Sequence, residues 1–119
     1  MMKNTLGLVG ALCVLLFAAC DGKDGYDSRL DGMWQMVDTS IYYSFQVNVV
    51  NVKKVNGGSY FGHYRYENDS IYITIRNSTK QAVEPLGLKD TIQNFEVETL
   101  THKRLVLRSE DTRLTFRKY

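Results

Sequence analysis

The sequence is poor in proline, cysteine and histidine, the residues that interrupt strands or build covalent and metal-held frameworks. In 119 residues it has one proline, two cysteines and two histidines. Two cysteines cannot make a multi-disulfide scaffold. His63 and His102 lie on different segments, and two such residues are too few for a metal centre. We therefore predict a core held by hydrophobic packing, with no metal and no cofactor.

Signatures of catalysis and a strong charge of one sign are also missing. No Gly-x-Ser-x-Gly elbow or phosphate-binding loop occurs. Glu96 and Glu98 share one face of a predicted strand, a placement more typical of solvent exposure than of paired acid–base chemistry. The formal net charge is only +2, which argues against a nucleic-acid surface. The sequence predicts neither an enzyme nor a nucleic-acid partner.

One long apolar run, Leu6–Ala19, follows the cation Lys3. It is shorter than the about 20 residues of a spanning helix and ends in small residues, as cleavable export signals do. Its end, Phe17-Ala18-Ala19-Cys20, resembles the bacterial lipobox, with phenylalanine in place of the usual leucine. The resemblance implies a lipoprotein signal peptide over 1–19 and acylation of Cys20, for example by palmitate. An ordinary signal with a chance cysteine, or a membrane anchor, is the alternative.

Acylation of Cys20 would make the membrane a partner, because several acyl chains hold a protein firmly at a bilayer. We expect the bacterial outer membrane, on its periplasmic or cell-surface face. Residues 20–29 are predicted to be a flexible acidic tether. Its start, Asp21-Gly22-Lys23-Asp24, is similar to the acidic stretch that sends many Bacteroidetes lipoproteins to the outer face. A plain hydrophilic linker is the alternative.

From Leu30 onward the sequence is rich in Val, Ile, Thr, Tyr and Phe, and no window keeps helical spacing for three turns. Val49-Val50 breaks the alternation of one long strand and suggests a bulge, and Thr79–Asp90 is predicted to be a long loop with room for one short extra strand. Short strands joined by hairpins favour an up-and-down barrel or a sandwich, and closure removes exposed edges. The predicted strands lie near residues 33–38, 42–53, 59–67, 70–77, 92–100, 103–109 and 112–118.

Two hairpins can be registered from the alternation of their side chains. A two-residue loop at Glu110-Asp111 pairs Leu107 with Leu114 and gathers the arginines on the opposite face, whereas a one-residue slip would mix the faces. A loop at Asn68-Asp69 pairs Tyr64 with Ile73, since Asn and Asp tolerate the left-handed backbone of a tight turn.

Gly32-Met33-Trp34 resembles the Gly-x-Trp opening of lipocalin-like and calycin barrels, and the pattern over 30–119 is similar to small lipocalin-like lipoproteins of Bacteroidetes. The resemblance implies an all-β, antiparallel, lipocalin-like barrel of seven or eight strands in domain 30–119. It places Trp34 at the barrel base, with a late-strand arginine, Arg113 or Arg117, across it. A plain core aromatic is the alternative for Trp34.

The implied function is a non-catalytic binding module for a small hydrophobic or amphipathic ligand. An apolar pocket with few polar groups is typical of such sites. A barrel filled by its own side chains, which would instead contact another envelope protein or a protease, is the alternative. The candidate ligand-binding residues are Trp34, Phe45, Tyr64, Tyr66 and Ile73.

The last hairpin predicts a basic surface patch of Arg104, Arg108, Arg113 and Arg117. Arginines that face each other across strands repel, so we expect an acid, an aromatic face or an anion nearby, with a plain solvated face as the alternative.

Two tripeptides, Asp69-Ser70-Ile71 and Asp90-Thr91-Ile92, are similar to the acceptor pattern of Bacteroidetes O-glycosylation, with Ser70 and Thr91 as the modified residues. Chance occurrence, and the turn chemistry of Asp69-Ser70, are the alternatives.

Overall fold

A computed structural model describes residues 27–119 of the protein. The predicted signal peptide, Cys20 and most of the predicted tether lie outside these residues. Each strand pairs antiparallel with the next along the chain, and the last pairs with the first, which closes the sheet into a barrel. The all-β, antiparallel barrel predicted from the sequence is therefore confirmed. Its strands are β1 (Gly32–Met36), β2 (Ile41–Gln46), β3 (Val49–Lys54), β4 (Ser59–Glu67), β5 (Ser70–Ile75), β6 (Ile92–Leu100), β7 (Arg104–Ser109) and β8 (Thr112–Lys118).

Both predicted hairpin registers are confirmed. Leu107 pairs with Leu114 across β7 and β8, and Tyr64 pairs with Ile73 across β4 and β5. The β4–β5 turn holds its two central residues, Asn68 and Asp69, at positive φ, as a tight hairpin turn requires. The alternation of apolar and polar residues therefore predicted correctly which side chains of these strands face inward and which face outward.

The single strand predicted over 42–53 is wrong, because the chain reverses in its middle. Val47 and Asn48 have φ values of 35° and 68° and form a two-residue turn between β2 and β3. Val49 therefore begins a new strand instead of marking a bulge. The irregularity of the sheet lies elsewhere, in β6, where the register shifts between Val97 and Thr99.

The segment predicted to be a long loop after β5 closes one end of the barrel, which we call the helix end. It contains no strand. A short helix, α1 (Lys80–Val83), begins where the Thr79 hydroxyl accepts a hydrogen bond from the Ala82 N–H, and a 3-10 turn over Glu84–Leu86 follows. The buried side chains of Val83, Leu86 and Leu88 pack onto the barrel core.

The opposite end, where the described chain enters, is called the entry end. A 3-10 turn over Ser28–Leu30 buries Leu30 completely. The Trp34 indole N–H donates to the Leu30 carbonyl at 2.9 Å, and an Arg29 N–H donates to the Leu100 carbonyl at 3.2 Å. The last residues of the predicted tether thus lie against the barrel. Among residues 27–119, no helix is long and apolar enough to cross a membrane.

Candidate functional site: a filled interior and an outer groove

The five residues predicted to bind a ligand all lie inside the barrel. Their side chains are buried, with at most 9% of their surface exposed, as in Tyr66. The Phe45 and Tyr64 rings meet edge to face, with centroids 5.0 Å apart, and the Tyr43 and Phe116 rings lie 4.8 Å apart. Since β2, β4 and β8 supply these rings from different sides, the aromatic contacts fill the interior between them.

Hydrogen bonds fix two interior tyrosines. The Tyr43 hydroxyl donates to the Leu86 carbonyl at 2.7 Å, which ties the helix end to β2. Burial raises the pKa of the Tyr43 phenol well above its usual range. The Tyr66 hydroxyl donates to Asp69 at 3.2 Å. Burial, followed by the negative charge of Asp69, raises the pKa of Tyr66 to about 12. Both phenols therefore serve as neutral donors at ordinary pH.

A groove of about 450 Å3 lies on the outside of the barrel wall, centred on β4. This volume falls within the range of small-molecule sites. Alternation along β4 turns Phe61 and His63 outward, next to Val49 of β3. Phe61 has 61% of its surface exposed. The groove residues are Val49, Ser59, Tyr60, Phe61, Gly62, His63, Arg76 and Asn77.

Gly62 lets the strands pack closely at the floor of the groove. A Cβ atom on Gly62 would lie 2.7 Å from the Ile75 Cα and closer still to the Thr74 carbonyl oxygen. Both neighbours are backbone atoms of β5, which cannot move aside without disturbing the sheet. Glycine in this strand therefore marks a close approach of two backbones.

The groove combines an exposed aromatic ring with a free cation. The backbone N–H of Arg76 donates to the Phe61 carbonyl at 2.9 Å, so the two residues are neighbours across the sheet. Among the residues that the structure describes, no carboxylate forms an ion pair with Arg76. An apolar surface beside an unpaired cation suits a molecule with an apolar body and an anionic group.

Sequence reasoning missed this groove. One signal was present: Phe61 occupies an outward position in a strand whose other outward residues are polar, such as His63 and Arg65. The partners of Phe61 come from β3 and from the residues after β5, and their distance in sequence hid the groove.

The predicted basic patch is exposed, but it divides into two halves. Arg113 forms two hydrogen bonds with Glu98, at 3.0 and 3.2 Å, and Arg108 bonds to Glu96. The register shift in β6 turns both Glu98 and Thr99 outward, which brings Glu98 to the arginines. The expected neighbouring acid is therefore present for this half of the patch. The other half, Arg104 and Arg117, bonds to no described carboxylate.

The predicted arginine across Trp34 is wrong. Lys118 pairs with Trp34 between β8 and β1, and its ammonium lies 4.4 Å from the centre of the indole ring. The same ammonium donates to the Asp31 carbonyl at 2.6 Å. Gly32, with φ of 118°, leaves room for it, because a Cβ there would come within 3.2 Å of the Lys118 nitrogen. Trp34 itself sits at the barrel base, as expected.

The two predicted glycosylation residues are half-buried, Ser70 at the start of β5 and Thr91 directly before β6. Ser70 begins β5, directly after the Asn68-Asp69 turn. The Thr91 backbone N–H donates to the Asp90 carboxylate at 2.7 Å. Their modification stays a prediction. Within residues 27–119, no group of three or more His, Cys, Asp and Glu side chains is placed to hold a metal ion.

A closed eight-stranded meander with a tryptophan at its base defines the lipocalin-like class of barrels. The chain belongs to the family described as Lipocalin-like domain, whose model matches residues 15–119. This confirms the family resemblance noted in the sequence.

Solved structures give the same result. A lipocalin-like protein from Bacteroides uniformis ATCC 8492 is 26% identical, with a TM-score of 0.66 over 76% of this chain and 99% of that one. An uncharacterized protein from Bacteroides eggerthii DSM 20697 is 24% identical, with a TM-score of 0.62 and the same coverage, and it shows the fold alone. The curated proteins contain no match.

Proposed function

We propose that the protein is a lipid-anchored, non-catalytic binding module of the bacterial envelope, acylated at Cys20. Its ligand is a small amphipathic molecule with an anionic group, held in the outer groove. Lipocalin-like proteins generally bind and do not catalyse, and the fold is consistent with that role. The observation that carries the proposal is that exposed Phe61 lies in one groove with Arg76, which forms no ion pair with a carboxylate of residues 27–119.

The filled interior supports an outer site over an inner one. A ligand inside would have to displace rings that already contact one another, such as Phe45 and Tyr64. It would also have to pass Leu30 at the entry end or Leu86 and Leu88 at the helix end, all of them buried. Displacing such packing costs several kcal/mol, whereas the groove is open to solvent.

Titration with an anionic naphthalene-sulfonate dye, competed by a fatty acid and by the fatty alcohol of equal length, tests this proposal. We expect saturable binding and better competition by the acid, because Arg76 pairs with its carboxylate. Phe61→Ser and Arg76→Gln should each weaken binding about tenfold. The matched controls Ile92→Ser, which alters an exposed apolar side chain outside the groove, and Arg113→Gln should change it less than about twofold.

Two results would contradict the groove. Absence of saturable binding would remove the small-molecule function. Loss of binding in the interior variants Tyr64→Phe and Ile73→Val, with Phe61→Ser unchanged, would move the ligand into the barrel, as the sequence first predicted.

A protein partner is the second candidate, because exposed apolar side chains extend beyond the groove. Val49, His63, Thr74 and Ile92 form one outward row across β3 to β6, and Ile92 has 70% of its surface exposed. Exposed apolar side chains gathered on one outer face, with polar residues between them, are typical of contact sites. Crosslinking in the envelope distinguishes the candidates: a protein partner would be lost with Ile92→Ser, which leaves dye binding intact.

A further inference from the structure

Basic side chains meet at the entry end because of the pairing of β7 with β8. Arg104 lies directly opposite Arg117, and the Lys118 N–H donates to the Lys103 carbonyl at 3.0 Å. The side chains of Lys103, Arg104 and Arg117 are exposed, and we call these three the entry-end cations. Lys118 is engaged with Trp34 and the Asp31 carbonyl.

The entry-end cations lack acidic partners among residues 27–119. None of the ion pairs there includes them, and Arg117 donates to the neutral side-chain amide of Gln35 at 3.3 and 3.4 Å. Two directly opposed arginines repel each other. An anionic surface outside the barrel would relieve that repulsion.

The same end receives the chain that comes from Cys20. Arg29 bonds to the Leu100 carbonyl, three residues before Lys103. Asp27 follows Cys20 by seven positions, and a fully extended chain over that separation spans at most about 25 Å. An acyl group on Cys20 therefore holds the entry end close to the lipid headgroups.

Among the described acidic residues near this end, Asp27 is neutralised by an arginine, whereas Asp21 and Asp24 of the tether lie outside the described residues. Asp27 pairs with Arg29 at 2.7 Å. Asp69 lies on the β4–β5 turn, where its backbone carbonyl accepts a hydrogen bond from the Val97 N–H of β6 at 2.8 Å. The entry-end cations lie on the β7–β8 side of this end, so that contact through them would tilt the barrel.

We propose that the entry-end cations dock this sector onto anionic lipid headgroups, with the β7–β8 side of the barrel turned toward the membrane. The inference rests on the proposed acylation of Cys20 and adds a second, electrostatic contact to it. Juxtamembrane basic residues are attracted to anionic lipid surfaces in this manner, within about a Debye length.

Hydrogen exchange of the native acylated protein tests the docking. The protein is reconstituted in phosphatidylcholine vesicles with and without phosphatidylglycerol. We expect amides 101–104 to exchange about tenfold more slowly with the anionic lipid, and the helix-end turn at 55–58 to be unaffected. High salt should remove the difference.

A matched pair of variants isolates the proposed contact. Arg104→Gln/Arg117→Gln and Arg108→Gln/Arg113→Gln remove the same charge from directly opposed positions of one hairpin. The first pair should abolish the lipid-dependent protection, and the second, whose arginines bond to Glu96 and Glu98, should retain it.

Equal exchange in both lipids, or equal effects of the two double variants, would overturn the docking. So would protection that follows an acidic protein partner in place of the lipid. The mass of the N-terminal peptide is read on the same sample, so that a missing acyl group is distinguished from a failed contact. The dye titration reports on the groove separately.

Discussion

At Val47 the barrel holds a β-branched side chain in the left-handed region, with φ of 35°. Such a residue is costly there, because its Cβ substituents crowd the backbone. Val47 is also 58% exposed, so burial of its side chain adds little stability to offset that cost. The turn it shares with Asn48 is of the kind that asparagine and glycine favour.

Val47→Asn should therefore raise the free energy of unfolding by about 1 kcal/mol. Val55→Asn is the matched control, since Val55 is 49% exposed and lies outside the positive-φ positions. Urea unfolding of the two variants measures the difference. Equal shifts in both would mean that the strain at Val47 is not felt in the folded state.

Tyr66 makes stability depend on alkaline pH. Its pKa rises from 10.0 to about 12 on folding, mainly through burial and then through Asp69. Since folding favours the protonated phenol, this contribution is complete below pH 10 and is lost as the pH rises toward 12. Unfolding midpoints measured across this range should fall, and less steeply in Tyr66→Phe. Tyr119→Phe, which alters a ring with 75% exposure, should follow the wild type.

At the scale of elements, strand faces and hairpin registers could be predicted because they follow from the alternation of apolar and polar residues within each strand. The division of residues 42–53 into β2 and β3 could not, since Val47 contradicts the chemistry of the turn it occupies. The partner of Trp34 was also misplaced: the end of β8 brings Lys118, and not an arginine, over the ring. The inward ligand candidates were placed on the correct face, but their mutual packing depends on four strands at once.

The segment between β5 and β6, here called the plug, closes the helix end of the barrel. We expect its buried apolar side chains to stabilise the folded protein. Leu88→Ala removes a side chain that is 2% exposed and should lower the free energy of unfolding by about 2–4 kcal/mol. Ile92→Ala, at an exposed position, should change it by less than about 0.5 kcal/mol. Chemical denaturation compares them. A small effect of Leu88→Ala would show that the plug is not part of the cooperative core.

For the whole molecule, the proposed attachment to the membrane assigns different roles to the two cysteines. Cys20→Ser should abolish both the added acyl mass and cleavage of the leader before residue 20, because no thiol remains to be acylated. Cys13→Ser, within the same apolar run, should leave both unchanged. Intact mass measures this. Normal removal of the leader before residue 20 in Cys20→Ser, or a wild-type mass without acyl groups, would contradict a lipid anchor.

The contacts of Leu30 determine how the barrel responds to force applied through the N-terminal tether. Tension along the tether reaches the chain at Arg29 and Leu30, which are bonded to the Leu100 carbonyl and the Trp34 indole. The tension then runs lengthwise into β1, which is hydrogen-bonded on one side to β2 and on the other to β8. Those bonds are strained together in shear and do not open one after another. The barrel should thus resist a pull on its N-terminus better than a pull that separates the two strands of one hairpin from their ends.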